Sequence, residues 1–187
     1  MRHTGIRSAR IALFCAAISC AAVLLASCGQ RTDAPDMDML TIAGAIGDPD
    51  RGAFDATADR YFAWLNADFP AARGLTRDEL AALGQHTVAV ARDDAAPQGE
   101  YSGPLLTDVL ELAGAEQAPE IVATALDGYS AAIPMDAARE AGAIVAIVRD
   151  GAPLPLGGPG PSVIIFPDAA AADPAWYVWG LVLISVE

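Results

Sequence analysis

The chain contains no lysine and very little cysteine or histidine. Its 187 residues include three cysteines, Cys15, Cys20 and Cys28, and two histidines. A disulfide framework and a cysteine-based zinc site are therefore excluded after residue 28. The basic residues are 11 arginines against 24 acidic residues, a net charge of −13. This acidic balance argues against nucleic acid as a partner, because phosphates require a basic surface.

The beginning of the chain has the pattern of a bacterial export signal. Residues 1–10 contain three arginines and no acid, and residues 11–26 are almost entirely apolar. This is typical of a secretory signal, and the apolar stretch is too short to span a membrane comfortably. It ends in Leu25-Ala26-Ser27-Cys28, which resembles a lipobox, the motif whose cysteine is acylated and becomes the first mature residue. An Arg-Arg pair is missing, so the twin-arginine route is not indicated.

We therefore predict that residues 1–27 are a lipoprotein signal peptide and that Cys28 is the lipidation site. The alternative is an ordinary signal peptide that ends near a cysteine. Residues 28–38 are polar and predict a flexible tether. The expected location is outside the cytoplasm, with a lipid anchor in the bacterial membrane and the domain facing the periplasm or the cell exterior. An aspartate directly after the lipidated cysteine is associated with retention of a lipoprotein in the inner membrane. This chain has Gly29 at that position, which weakly favours the outer membrane.

Removal of the signal makes the protein more acidic. Eight arginines then stand against 24 acidic residues on 160 residues, a net charge of −16. The acids of the tether would be repelled by anionic headgroups, so the membrane surface is not an obvious partner beyond the lipid itself. A protein of the cell envelope is the other possible partner.

Residues 39–187 predict a single α+β domain with no internal repeat. Apolar spacing indicates a strand over 39–46, a helix over 54–65 with Tyr61 on its apolar stripe, and a helix from Pro104 to Gly114. Thr76 to Glu79 has the spacing of a capping box, which predicts a short helix ending near Gly84. Alternation around His86 predicts a half-buried strand.

The second half of the domain reads mostly as strand. One or two helical turns are expected over residues 134–142. Asp127-Gly128 and Asp150-Gly151 are turn signals, the latter the strongest short hairpin signal in the chain. Apolar runs predict strands over residues 121–126, 129–133, 143–149, 162–166 and 181–186.

Several short motifs also follow one another in a characteristic order. They are Tyr101-Ser-Gly-Pro-Leu-Leu-Thr-Asp-Val-Leu110, Asp127-Gly-Tyr129 with Ile133-Pro134, Asp150-Gly151 with Leu154, Gly158-Pro159 before Ile164-Ile-Phe-Pro167, and the aromatic segment Trp176 to Trp179. In this order, residues 39–187 resemble the molybdopterin-binding domain of the sulfite oxidase family. The resemblance implies mostly antiparallel strands edged by short helices.

The chain differs from that family in the residues that would bind the metal and the cofactor. In catalytic members a cysteine thiolate ligates molybdenum, and basic side chains hold the pterin phosphate. Soft metals in such sites need a soft ligand, and carboxylates substitute poorly. The mature body has no cysteine and few arginines, one of them, Arg31, in the tether. No catalytic residue and no metal ligand is therefore assigned, and molybdopterin is suggested by the resemblance alone.

Other catalytic and metal sites find little support. A Ser-His-Asp triad would have to use His86, which we interpret as a partly buried structural imidazole, and no G-x-S-x-G elbow is present. A zinc site needs three or four protein ligands, and one histidine with carboxylates is an unfavourable ligand set. Calcium is less implausible, but Asp48-Pro49-Asp50 and Asp93-Asp94 lack calcium-loop spacing and are interpreted as surface turns.

Four residues are candidates for binding a ligand: Tyr129, Arg149, Gly158 and Pro159. The loop 157–161 is interpreted as a structural turn, because its prolines lack amides, yet in the family this segment lies near the cofactor pocket. Tyr129 would line the same pocket, or it packs as a strand residue against its turn. Arg149 could bind an anion, although an ion pair with Asp150 or another acid is the favoured interpretation.

The aromatic residues Trp176, Tyr177 and Trp179 crowd one short segment. In an extended strand, Trp176 would face away from Tyr177 and Trp179. At least one ring could then be exposed, as in contact surfaces, although core packing of all three is the simpler interpretation.

Two functions remain open from the sequence. The favoured one is a non-catalytic, lipid-tethered module of the cell envelope that binds a ligand or a protein partner. The other is a molybdopterin-dependent oxidoreductase with atypical metal ligation or a site completed by a partner. A fold resemblance alone does not establish chemistry.

Overall fold

The structure, a computed structural model, describes residues 37–91, 97–168 and 172–187. Strands dominate this part of the chain. Its strands are β1 (Leu40–Gly44), β2 (Ala72–Leu75), β3 (Gln85–Val90), β4 (Gly99–Pro104), β5 (Glu120–Ala125), β6 (Ser130–Pro134), β7 (Ile144–Ala146), β8 (Val148–Arg149), β9 (Ala152–Pro153), β10 (Val163–Ile165) and β11 (Leu181–Val186). Its helices are α1 (Arg60–Trp64), α2 (Arg77–Ala82), α3 (Leu106–Glu111) and α4 (Met135–Glu140), with a 3₁₀ helix at Pro174–Trp176. Among these described residues, no helix has the length and apolarity needed to cross a membrane.

The strands form three sheets. The largest has the order β2-β1-β11-β5-β6, in which β1 and β11 run parallel and the other neighbours are antiparallel. A second sheet has the order β3-β4-β8-β9, and β10 pairs with β7 in a third. The predicted α+β domain of mostly antiparallel strands with short helices is confirmed.

Alternation along the central strands distributes side chains between two apolar clusters. Ile42 of β1 and Ile184 of β11 belong to the main core, which α3 covers with Leu106 and Leu110. Ala43, next to Ile42, belongs to a smaller cluster against which Phe62 of α1 packs. Because successive strand residues point to opposite faces, both faces of the large sheet carry apolar packing.

Local turn signals are confirmed where the turn chemistry is strong. Thr76 and Glu79 form the reciprocal capping box at the start of α2. Asp150 and Gly151 have φ angles of 50° and 76° and join β8 to β9 as the predicted hairpin. Gly114 has a φ angle of 64° beyond α3, in agreement with its predicted role as a left-handed stop.

Two predicted helix boundaries are wrong. The helix expected over 54–65 is confined to α1, because the Asp55 carboxylate accepts hydrogen bonds from the amides of Thr57 and Ala58 and forms a separate turn. These bonds also lower the pKa of Asp55. Pro104 does not begin a helix but ends β4, and α3 starts two residues later.

The strand predicted over 143–149 is interrupted at Ile147. The Ile147 amide donates to Ser102 while its carbonyl accepts from Leu154, and the chain passes there from the third sheet into the second. An unbroken apolar run cannot reveal such a change of partner, since every position in it is compatible with burial.

Candidate functional site

The loop that follows β9 is closed by its own backbone. The Gly158 amide donates to the Pro155 carbonyl over 3.3 Å, and the Pro159 carbonyl accepts from the Gly180 amide over 2.8 Å. Gly158 itself is exposed. Because the Gly158 amide already has a partner inside the loop, it is not available to cradle a phosphate.

Tyr129 lies at the same end of the molecule as this loop. Its hydroxyl donates to the Ala175 carbonyl over 2.8 Å, and its amide donates to Asp127 Oδ1 over 2.9 Å. The neighbouring Leu126 amide donates to the Gly180 carbonyl over 2.8 Å. Gly180 therefore connects the β5–β6 turn with Pro159, and the structure brings Tyr129, Gly158 and Pro159 into one region.

Arg149 lies elsewhere, in β8 of the second sheet. Its Nε atom is 3.3 Å from Asp150 Oδ2, which confirms the predicted ion pair, and Nη2 donates to the Gln98 carbonyl over 2.8 Å. The guanidinium carbon also lies 5.9 Å from the centre of the Tyr101 ring. None of these contacts involves Tyr129 or the loop after β9.

An open cleft of about 610 Å³ lies beside α3 and β2. It is lined by Asp48, Arg73, Leu83, Asp108, Glu111 and Leu112. Carboxylates outnumber the single guanidinium in this lining, so the cleft disfavours an anionic group such as a phosphate. Sequence reasoning did not identify it, because its walls come from four separate segments.

Arg73 is surrounded by acids at one side of this cleft. Its guanidinium lies 3.6 Å from Asp48, 3.2 Å from Asp50 and 3.2 Å from Glu79. Asp48 and Asp50, predicted as surface-turn residues, thus pair with an arginine brought in by β2. Asp93-Asp94 lies outside the described residues.

Glu79 couples this arginine to the capping box. The backbone amide of Thr76 is the main cause that holds the pKa of Glu79 below its ordinary value of 4.5, with smaller contributions from the Thr76 hydroxyl and Arg73. A carboxylate with a lowered folded pKa stabilises the fold above the unfolded pKa, and this stabilisation is lost as the pH falls through the folded pKa.

We expect Glu79→Gln to flatten the acid dependence of stability. Glutamine keeps a similar shape but cannot be protonated, so the variant should lose less free energy of unfolding than the parent as the pH falls from 4.5 to below the folded pKa. Urea unfolding across this range checks it. Glu140→Gln, at an exposed position, is the matched control and should follow the parent; parallel curves for parent and Glu79→Gln would contradict the prediction.

His86 is exposed, so its interpretation as a partly buried imidazole is wrong. It lies in the edge strand β3 opposite Gly103 of β4. Because glycine has no side chain, no cross-strand neighbour covers the ring. Among the residues that the structure describes, no group of three or more potential metal ligands is present, at this edge or elsewhere.

The late aromatic segment does not alternate as an extended strand would. Trp176 ends the 3₁₀ helix and packs on Phe166, with ring centres 5.9 Å apart. Tyr177 is buried, and its hydroxyl donates to the Phe166 carbonyl. Burial raises the pKa of Tyr177. Trp179 is 42% exposed, so the favoured interpretation, core packing of all three rings, is wrong for Trp179.

Two further exposed rings were not predicted. Tyr61 is 38% exposed and Trp64 60% exposed, although Tyr61 was placed on an apolar stripe. Trp64 does not belong to the predicted apolar stripe, and this position off the stripe is the one sequence signal that its ring is exposed. Both rings belong to α1, where the Phe62 side chain alone turns toward the smaller apolar cluster.

Comparison with known proteins agrees with this architecture. The sequence model of the family described as oxidoreductase molybdopterin binding domain matches residues 71–185. The chain belongs to this family, and the resemblance to the sulfite oxidase domain is confirmed. No curated protein matches the sequence significantly.

The fold is also similar to a solved structure, the sulfane dehydrogenase SoxCD from Paracoccus pantotrophus. The TM-score is 0.53 at 14% sequence identity, over 79% of this chain and 37% of that chain. The present chain thus spans little more than a third of the length of that chain. At this identity, the similarity concerns the fold.

The residues present do not fit the cofactor that the family name implies. Every cysteine lies at or before Cys28, so the domain supplies no thiolate for molybdenum. The described arginines are dispersed, and most are held by protein groups. Besides Arg73 and Arg149, the partners are Asp59 for Arg51, the Ile147 carbonyl for Arg77, and the carbonyls of Glu116 and Ala118 for Arg139.

Proposed function

We propose that this protein is an exported, lipid-anchored module that uses a sulfite-oxidase-type domain to bind a ligand or partner, without catalysing molybdenum redox chemistry. One observation carries the proposal: a chain of this family has no cysteine beyond Cys28, the residue predicted to carry lipid. A thiol converted to a thioether at the membrane cannot ligate a metal in the domain.

The electrostatics support the same conclusion. A pterin cofactor brings a phosphate, which needs converging donors or cations. In the described part of the chain, Arg73 and Arg149 are paired with carboxylates, and the cleft beside α3 is acidic. The region that contains Tyr129 and Pro159 is held by backbone hydrogen bonds and exposes aromatic rings instead of basic groups.

The test is the molybdenum and pterin content of the protein isolated from its own host. We expect less than a tenth of an equivalent of either, measured by elemental mass spectrometry and by fluorescence of the oxidised pterin. A molybdoenzyme from the same cells, isolated in parallel, is the control for cofactor supply. Near-stoichiometric metal and pterin would overturn the proposal and favour an oxidoreductase whose metal ligand comes from another group or from a partner.

A further inference from the structure

Four exposed aromatic rings surround the turn between β5 and β6. Tyr61, Trp64, Tyr129 and Trp179 are 38%, 60%, 44% and 42% exposed, and we refer to them as the turn-end aromatic surface. Large exposed rings that gather in one region are typical of contact surfaces. The cofactor chemistry considered above leaves this surface unexplained.

Backbone contacts place the four rings around one turn. The Tyr61 hydroxyl donates to the Leu126 carbonyl over 2.8 Å, and Trp64 stacks on Tyr61 with ring centres 6.0 Å apart. On the other side, Trp179 directly precedes Gly180, whose carbonyl accepts from the Leu126 amide. Tyr129 belongs to the turn itself. The surface therefore extends over both sides of the turn.

The two tyrosines of this surface are held in place before any partner arrives. The hydroxyls of Tyr61 and Tyr129 are both fixed on backbone carbonyls, those of Leu126 and Ala175. An immobilised side chain loses little conformational entropy on binding, so each ring contributes more of its contact energy to affinity. This is the arrangement of a preformed docking surface.

Carboxylates accompany the rings. Asp127 lies at the turn, where it accepts from the Tyr129 amide, and Asp173 caps the 3₁₀ helix whose Ala175 holds Tyr129. Burial and the nearby charge of Asp127 raise the pKa of Tyr61. One cation, Arg60, precedes Tyr61 in α1. The mature chain as a whole carries a net charge of −16.

We propose that the turn-end aromatic surface binds a segment of a partner protein that is rich in arginine or lysine. Guanidinium and ammonium groups are attracted to the faces of tryptophan and tyrosine, and arginine also stacks on them. Asp127 and Asp173 would pair with the same side chains. The inference rests on the proposed function, because it assigns a partner class to a module that binds without catalysis.

Charge favours this partner over other occupants of an aromatic surface. Anionic headgroups would be repelled by the acidic domain, and an uncharged glycan would donate hydrogen bonds to its carboxylates but gain no charge attraction. A basic segment is steered toward the domain by its net charge and then fixed by the rings.

The experiment titrates the full lipidated protein in detergent with a synthetic peptide of alternating arginine and leucine. We expect saturable binding that Trp64→Ala and Trp179→Ala each weaken about tenfold, which is a loss of about 1.4 kcal/mol. Met37→Ala removes a side chain that is 79% exposed outside this surface and should bind as the parent does. Equal affinities for the parent and both tryptophan variants would overturn the proposal.

Two charge-matched double variants separate local recognition from general attraction. Asp127→Asn with Asp173→Asn should weaken binding and reduce its dependence on salt. Asp108→Asn with Glu111→Gln removes the same charge from the acidic cleft and should leave binding nearly unchanged. Equal losses in both pairs, failure of the peptide to bind, or ring-dependent binding of an uncharged N-acetylglucosamine oligosaccharide would each overturn the assignment. The cofactor measurement tests the proposed function separately, since a protein free of cofactor can still fail to bind this peptide.

Discussion

Cys28→Ser is expected to abolish lipid attachment completely. Acylation requires the thiol of the lipobox cysteine, and a serine hydroxyl does not replace it in this modification. A single acyl chain binds a membrane only marginally, so stable anchoring depends on the several chains of the bacterial modification. The measurement is incorporation of a clickable fatty acid in growing cells, followed by the mass of the isolated protein.

Two other cysteines provide matched controls for this prediction. Cys15→Ser and Cys20→Ser change the same chemical group within the predicted signal and should leave labelling intact. The mass of unprocessed Cys28→Ser should include residues 1–27. Because an uncleaved apolar stretch can itself associate with a membrane, the lipid label decides the question, and undiminished label on Cys28→Ser would refute the lipid anchor. Cys28 lies outside the described residues, so this prediction stands on the sequence alone.

Short-range chemistry explains which parts of the fold were predictable. The capping box of Thr76 and Glu79 and the Asp150-Gly151 hairpin need only residues within four positions of one another. Such signals fix where elements begin and turn, and their order along the chain carries the family resemblance. The strand β11 was predicted with its observed bounds, because a six-residue apolar run that follows a glycine and is rich in β-branched residues has the length of a strand.

Long-range contacts explain what the sequence did not reveal. The Tyr61 hydroxyl bonds to a carbonyl 65 positions away, and this contact places the ring at the surface although helical spacing grouped it with Phe62. Arg73 meets Asp50 because the segment around Arg51 pairs with Ala72 at the start of β2. His86 is uncovered because its partner across the sheet is Gly103. Each outcome depends on a contact between distant segments that no local pattern encodes.

Gly103→Ala is expected to destabilise the domain by about 3 kcal/mol or more. A Cβ atom at this position would lie 2.6 Å from Ala146 Cα and 2.7 Å from the Val145 carbonyl carbon, with the Val145 oxygen nearer still. These are backbone atoms of β7, which cannot rotate away as a side chain can. Relief therefore requires β4 and β7 to separate, although Ile144–Ala146 is fully buried in the main core.

Chemical denaturation of Gly103→Ala and of Gly84→Ala measures this difference. A Cβ at Gly84 meets nothing within 4 Å, so that variant controls for the general effect of replacing glycine and should stay within about 0.5 kcal/mol of the parent. A Gly103→Ala protein that fails to accumulate in folded form, while Gly84→Ala does, supports the same conclusion. Equal stabilities would mean that β4 and β7 tolerate a wider spacing. The close approach of the second and third sheets would then have to be attributed to apolar packing alone.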